Sequence, residues 1–312
     1  MQHVTLSNTI AAGALAALLA LHAEPAAGQD QPALRSHEAT AGVLRICADP
    51  DNMPASNQKG EGYENKIAEL IAKEWNTKLE YAWWPVRRGF FSRALNGRYC
   101  DVALTAPSEL DMAGTTKPYF RSAYVIVYRK DSGLDLKSLD DPDWKKLKIG
   151  VNLLNSDAEN TPPAMALSRH GVVGNLIGFS TFYSELDRPD DIIKAVVDKK
   201  VDAAIVWGPL AGYFAGKAPV PLEVRPIEKD TLTGIPFAFN MSMGVRRRDK
   251  ELRDSLQTLL DKKGPEIQAI LRRFGVPLLP VVVEPKKGEP ERTGSAPAGD
   301  KPAAGTTTAD GR

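Results

Sequence analysis

The chain has 312 residues, 43% of them hydrophobic and 25% charged, enough to core one domain with extra segments or two modest lobes. Its 40 basic and 39 acidic residues leave a formal charge of +1, which excludes the strongly basic footprint of a nucleic-acid binder but leaves room for a local basic patch. Two cysteines without a convergent histidine pattern make no zinc site.

From the amino terminus, Ile10 to Leu21 form an apolar run followed by the small residues Ala23, Ala26 and Ala27. This is the pattern of an export signal, with removal expected between Ala23 and Ala27. At about 1.5 Å per residue the run spans about 18 Å, short of a bilayer core of about 30 Å, so residues 1–27 read as a signal and not a membrane anchor. No cysteine follows closely, which argues against a lipid anchor. Removing residues 1–27, which hold Glu24 and neither Lys nor Arg, leaves 40 basic against 38 acidic residues, or +2. No later segment is long and apolar enough to span, so the mature chain is expected in the periplasm without an anchor. In that oxidising compartment Cys47 and Cys100 are either a disulfide or two buried thiols.

Residues 28–42 read as a flexible lead-in. Leu44 to Ala48 is the first strand, broken by Pro50 and a polar loop through Gly60. From Tyr63 to Trp75, the positions Ile67, Leu70, Ile71 and Trp75 recur at helical spacing. Strands are expected at Leu79–Trp83 and Asp101–Leu104, with a short helix at Arg88–Leu95, so short apolar strands alternate with helices as in βαβ units. Tyr124 to Tyr128 is strongly strand-forming. A second α/β series follows the linker from Ser132 to Trp144, with strands at Lys148–Leu153, Gly178–Tyr183 and Val201–Val206 and helices at Ala164–His170 and Asp191–Val197. Phe237–Val245 reads as a further strand. Two helices, Glu251–Leu260 and Glu266–Arg273, precede the stop signals Gly275 and Pro277. Beyond Pro285 the chain is rich in Lys, Gly, Pro, Ala and Thr and cannot bury enough surface to repay ordering, so 285–312 reads as a disordered tail.

Tests for chemistry give little. The only histidines outside the signal are His37, in the lead-in, and His170, at a helix C-terminus where a cationic ring is favoured. There is no Gly-x-Ser-x-Gly elbow and no glycine-rich phosphate loop after a strand. The acids Asp49, Asp51, Glu61 and Glu64 match no EF-hand spacing and read as a solvated loop and helix start. More informative is Trp83-Trp84-Pro85-Val86-Arg87-Arg88. Strand alternation assigns Trp83 to the core. Trp84 is a candidate to stack on a ligand or partner, and Arg87 and Arg88 either pair with carboxylates or form a solvated helix start. Arg121, beside Tyr119 and Phe120, carries the same two readings, and Trp207-Gly208-Pro209 ends a buried strand where α/β sheets present cleft loops, so Trp207 is either a cleft residue or packing.

Several long stretches carry a resemblance: LRICADPDNMPASNQKGEGYENKIAELIA, WWPVRRGFFSRALNGRYCDVAL, TKPYFRSAYVIVYRKD, DAAIVWGPLAGYFA and MSMGVRR, spread over residues 44–130 and much of 147–277. The chain resembles the type II, cluster B-like periplasmic solute-binding proteins and, more narrowly, the MxaJ/XoxJ family found beside methanol dehydrogenases. The resemblance implies a two-lobed α/β fold: residues 43–128 plus 237–284 form the first lobe with its crossing strands, and residues 129–236 form the inserted second lobe. The strand order usual for this fold makes Leu44–Ala48 and Asp101–Leu104 neighbours, so one Cys47–Cys100 bridge is expected. The resemblance also implies a non-enzymatic accessory protein of methanol oxidation. Its expected partner is the catalytic subunit of a dehydrogenase dependent on pyrroloquinoline quinone (PQQ), and overall likeness favours the lanthanide-dependent type. No cofactor is expected to be held permanently, though the protein could contact PQQ or a metal in passing.

Departures from the amino-acid-binding relatives bear on the ligand. Those proteins carry Thr-x-x-Arg after the third strand to clamp a carboxylate, whereas here Thr105-Ala106-Pro107-Ser108-Glu109 supplies no arginine. Trp207-Gly208-Pro209 stands where an aspartate often meets the ligand's ammonium group, and Asn155-Ser156-Asp157-Ala158-Glu159 lacks the small Gly-Thr cradle. Tyr63 matches the aromatic position that stacks beside a solute. The alternative to an assembly or activation factor is therefore a receptor for a small acidic ligand, cofactor or metal complex. An enzyme on this fold would need a cleft acid that the sequence does not identify.

Overall fold

The computed structural model describes residues 42–86, 89–108, 110–153, 160–184 and 186–282. The export signal, nearly all of the lead-in, Arg87, Arg88 and the tail lie outside the described residues.

β1 (Val43–Ala48) is buried from Leu44 onward, and a small hairpin of β2 (Asp51–Asn52) and β3 (Ser56–Asn57) follows it. α1 (Tyr63–Trp75) starts after Gly62, where a Cβ would lie 2.1 Å from the Ala55 carbonyl oxygen, so only glycine fits. Asn65 Oδ1 accepts from the N–H groups of Gly62 and Asn57 at 3.0 and 3.1 Å, which fixes this entry. Of the periodic positions, Ile67 and Ile71 are buried together with Ala68 and Ala72, whereas Leu70 and Trp75 are half-buried against the same cluster. β4 (Lys78–Trp83) pairs in parallel with β1 along its whole length, and β5 (Val102–Pro107) pairs in parallel on β1's other side. The short helix expected at Arg88–Leu95 is a π-helical turn over Phe90–Leu95.

β6 (Gly114–Thr115) leads to the long β7 (Phe120–Arg129). The second series is β8 (Ile149–Leu153), α2 (Pro162–Arg169), β9 (Leu176–Ser180), α3 (Asp191–Val197), β10 (Ala203–Trp207), α4 (Gly208–Ala215) and β11 (Leu222–Ile227). The chain returns through β12 (Ala238–Val245) and ends its described part after α5 (Lys250–Arg273). The sheet runs β4-β1-β5-β12-β7-β10-β8-β9, with β11 also on β7 and β6 on β12. β7 belongs to both halves: Phe120–Ala123 pair with β12, whereas Tyr124–Arg129 pair with β10 and β11. One buried cluster lies between the first-lobe strands, α1 and α5, and two more cover the faces of the second-lobe strands.

Cys47 and Cys100 form a disulfide with Cα atoms 5.2 Å apart, as the β1–β5 pairing allows. Four local expectations change. The two helices expected near the C-terminus are one, because Leu256, Leu259, Leu260, Ile267 and Leu271 form a continuous buried stripe and Pro265 sits on the exposed side. The strand expected at Gly178–Tyr183 is instead β9, pulled back to Leu176 by its register with Ile149 on β8. Trp83 packs against the first-lobe core but is only half-buried and stacks on Tyr81 at 4.7 Å, because β4 is the sheet's edge strand. The segment after Trp207 is not a loop but the start of α4, with Pro209 in its first turn. α4 then packs on the first lobe's last segment so closely that a Cβ on Gly212 would lie 1.8 Å from the Gly275 carbonyl oxygen.

Candidate functional site

At the C-terminal end of β1, Asp49 ties three segments together. Its Oδ1 accepts from Asp51 N–H at 3.0 Å and its Oδ2 from Val86 N–H at 2.6 Å, while the Ser56 hydroxyl donates to its backbone carbonyl at 2.8 Å. Glu64, in the first turn of α1, lies beside it. The expectation that Asp49 and Glu64 are solvated is overturned: they are only 7% and 9% exposed, because the loop after β4 and the α1 N-terminus fold over them. Asp51 and Glu61 are exposed as expected. Burial pushes the Glu64 carboxyl up to about 7; the Thr105 hydroxyl opposes the shift and the Asp49 charge adds to it. Burial likewise raises the Tyr63 and Tyr119 hydroxyls, and Tyr119 donates to the Leu104 carbonyl at 2.9 Å.

Aromatic rings from β7, β10 and β12 gather where the chain crosses between the lobes. Tyr124 lies edge-on to Trp207 at 5.5 Å and to Phe239 at 6.5 Å, and burial pushes its hydroxyl up to about 12. Burial raises the Tyr183 hydroxyl, and the charge of Asp49 adds to the shift. Among the described residues, no group of three or more His, Cys, Asp or Glu is arranged to hold a metal ion.

The sequence-predicted residues do not form one surface. Tyr63 is 2% exposed and packs edge-on against Phe274 at 6.1 Å, inside the first-lobe core, so it has no open face for a solute. Trp84 is half-buried against the disulfide cluster, with Tyr99 at 5.5 Å. Arg121 pairs with Glu228 at 2.8 Å and is largely covered, which makes it a link to the loop after β11 and not a free cation. Trp207 is half-buried in the aromatic junction just described.

Two charged arrangements were not foreseen. Asp101, 4% exposed, accepts from Arg45 Nε at 2.9 Å and Nη2 at 3.3 Å, and from Arg246 Nη2 at 2.7 Å. Arg246 also reaches Asp249 at 2.7 Å. His170 does cap the C-terminus of α2, and its Nε2 meets the buried Asp230 at 2.7 Å. The partners lie 56, 145 and 60 residues apart, and no local pattern marks them. Two cavities lie away from the interlobe junction: one of 210 Å³ beside His170 and Asp140, and one of 360 Å³ among Arg98, Arg246, Arg247 and Arg248.

A family model for bacterial extracellular solute-binding proteins matches residues 88–276. Protein MoxJ of Methylorubrum extorquens is 30% identical over 291 residues, covering 89% of this chain and 96% of the relative. Protein MoxJ of Paracoccus denitrificans is 29% identical over 247 residues, covering 76% and 89%. The crystal structure of the periplasmic binding protein XoxJ from Methylobacterium extorquens AM1 superposes with a TM-score of 0.62 at 38% identity, covering 76% of this chain and 99% of that one.

Proposed function

This chain belongs to the MoxJ/XoxJ family of periplasmic proteins with the two-lobed solute-binding fold, a family of binding proteins and not enzymes, and from that premise we propose that it binds a PQQ-dependent methanol dehydrogenase and assists its assembly or activation. The lanthanide-dependent enzyme is the proposed partner, in keeping with the higher identity to XoxJ. The observation that supports a protein partner over a small solute is Tyr63. The ring that would stack on a solute is buried against Phe274, and Asp49 and Glu64 beside it are covered by the chain itself. Trp84, with Arg87 and Arg88 after it, is the proposed contact rim, since tryptophan and arginine supply much of the energy at protein interfaces. Arg121, paired with Glu228, and Trp207, in the aromatic junction, make other contacts and are not counted in that rim.

The test is a titration of the purified chain against apo and holo dehydrogenase, each at two salt concentrations. The proposal expects saturable binding to at least one form, weaker at high salt. It also expects at least tenfold weaker binding for Arg87→Ala/Arg88→Ala at an unchanged urea midpoint. Binding to neither form, together with lobe closure on a small acidic ligand, would overturn it in favour of a solute receptor.

A further inference from the structure

The 360 Å³ cavity lies at the far end of the first-lobe sheet from the interlobe junction. Register fixes its place: Val245, at the end of β12, pairs with Val102 at the start of β5, whereas Met241 pairs with Pro107 at the junction end. Its wall is formed by Asn96, Arg98, Met112, Arg246, Arg247, Arg248 and a single acid, Asp249. Arg246 is committed to Asp101 and Asp249 and anchors the rim. Arg247 gives one N–H to the Asp111 backbone carbonyl at 3.0 Å, which orients the guanidinium without neutralising it. The side chains of Arg98 and Arg248 are exposed and meet no acid among the described residues. Arg98 is also held at a left-handed φ of 64°, a conformation unfavourable for a side-chain-bearing residue, directly after Gly97, where a Cβ would lie 1.9 Å from the Arg93 carbonyl oxygen. Met112, 47% exposed, adds an apolar side chain to the wall. Arg98, Arg247 and Arg248, without a carboxylate partner among the described residues, stand with an exposed methionine on a rim fixed by the Arg246 ion pairs, the make-up of an interface rather than of ordinary surface.

We propose that Arg98, Arg247 and Arg248 with Met112 form a docking surface for a protein that presents a cluster of carboxylates beside an apolar side chain. The open, multi-arginine rim suits an extended acidic segment better than a free anion, because single exposed ion pairs contribute little and several engaged together add up. This surface goes beyond the Trp84 rim and does not depend on the identity of the dehydrogenase.

The test uses the full mature chain and a defined probe. Immobilised hexaglutamate peptide ending in leucine is titrated with wild type, with Arg98→Gln/Arg247→Gln/Arg248→Gln, and with the control Arg272→Gln/Arg273→Gln. The expected result is at least tenfold weaker binding for the triple variant only, with a shallower salt dependence. Equal loss in the control, or none in the triple variant, overturns the proposal. Should the triple variant unfold at lower urea, Arg248→Glu alone replaces it, with at least threefold loss expected and unchanged binding overturning the proposal. Citrate and inorganic phosphate serve as competitors. Displacement of the peptide by either at matched charge concentration assigns a small-anion site and overturns the docking surface. Because the probe is a peptide, a chain that fails to bind dehydrogenase still gives a decisive answer here.

Discussion

Replacing Asp101 with Asn isolates the charge at the centre of the first-lobe ion triad, since the side chain keeps its shape. In the native protein the carboxylate, 4% exposed, receives three N–H groups from Arg45 and Arg246. The amide keeps one acceptor and turns its NH₂ toward a guanidinium, so at least one buried donor faces another donor. Removing one partner of a buried ion pair costs about 3–5 kcal/mol. The lower end, about 3 kcal/mol, applies here because Arg246 keeps Asp249 at 2.7 Å and the Cys100 carbonyl. For a urea slope of about 2 kcal/mol/M, the midpoint falls by about 1.5 M. Urea unfolding followed by tryptophan fluorescence, with the disulfide intact, measures this. Adding Arg45→Met to the variant should recover part of the loss, because an apolar side chain then replaces a buried charge that has lost the Asp101 carboxylate. A midpoint within about 0.25 M of wild type, corresponding to about 0.5 kcal/mol at the same slope, would refute the reasoning.

Replacing Cys47 and Cys100 with Ser opens a loop of 54 residues, counted from 47 to 100, and is expected to cost roughly 4 kcal/mol in urea unfolding; a change below about 1 kcal/mol would contradict this. For Glu64, the folded carboxyl is raised from 4.5 to about 7, so the native state binds the extra proton between those values and loses stability as pH rises through that window. Glu64→Gln should flatten that fall, worth on the order of 3 kcal/mol, and parallel pH–stability curves for variant and wild type would count against it. Gly212→Ala places a methyl group against the Gly275 carbonyl and should lower stability by about 1–3 kcal/mol or shift α4, measured as a lower melting temperature; a neutral result would mean the contact relaxes freely.

Much of the fold was legible because its strongest signals are periodic and local. Ile67, Ile71 and their neighbours mark α1 by spacing alone, and the apolar runs at β1, β7 and β12 need no distant partner to be read. The errors arose where a local signal competed with a distant one. Gly264-Pro265 resembles a helix break, but the stripe from Leu256 to Leu271 holds the helix together against the sheet. Pro209 was a usable helix-start signal, obscured by its neighbour Trp207 being read as the edge of a cleft loop. At the candidate site the difficulty is burial. Nothing near Asp49 in the chain says that Val86 N–H, 37 residues away, will close over it, nor that Glu228 will claim Arg121. The disulfide was accessible to reasoning because it depends only on which strands are neighbours.

The strand β7 has a mechanical consequence. Its first four residues are stitched to β12 and its last six to β10 and β11, with the change of partner between Ala123 and Tyr124. A load applied to either lobe therefore passes through a continuous backbone, as through a leaf spring, and not through a slack tether. Any widening between the lobes concentrates curvature at that change of partner, where Tyr124 N–H bonds to the Phe237 carbonyl at 2.8 Å and Gly208 of α4 lies against the Ala123 carbonyl. If a partner protein levers the lobes apart, the amide of Tyr124 should be among the first in β7 to exchange with solvent, while those of Val125 to Tyr128, held in register on both sides, stay protected.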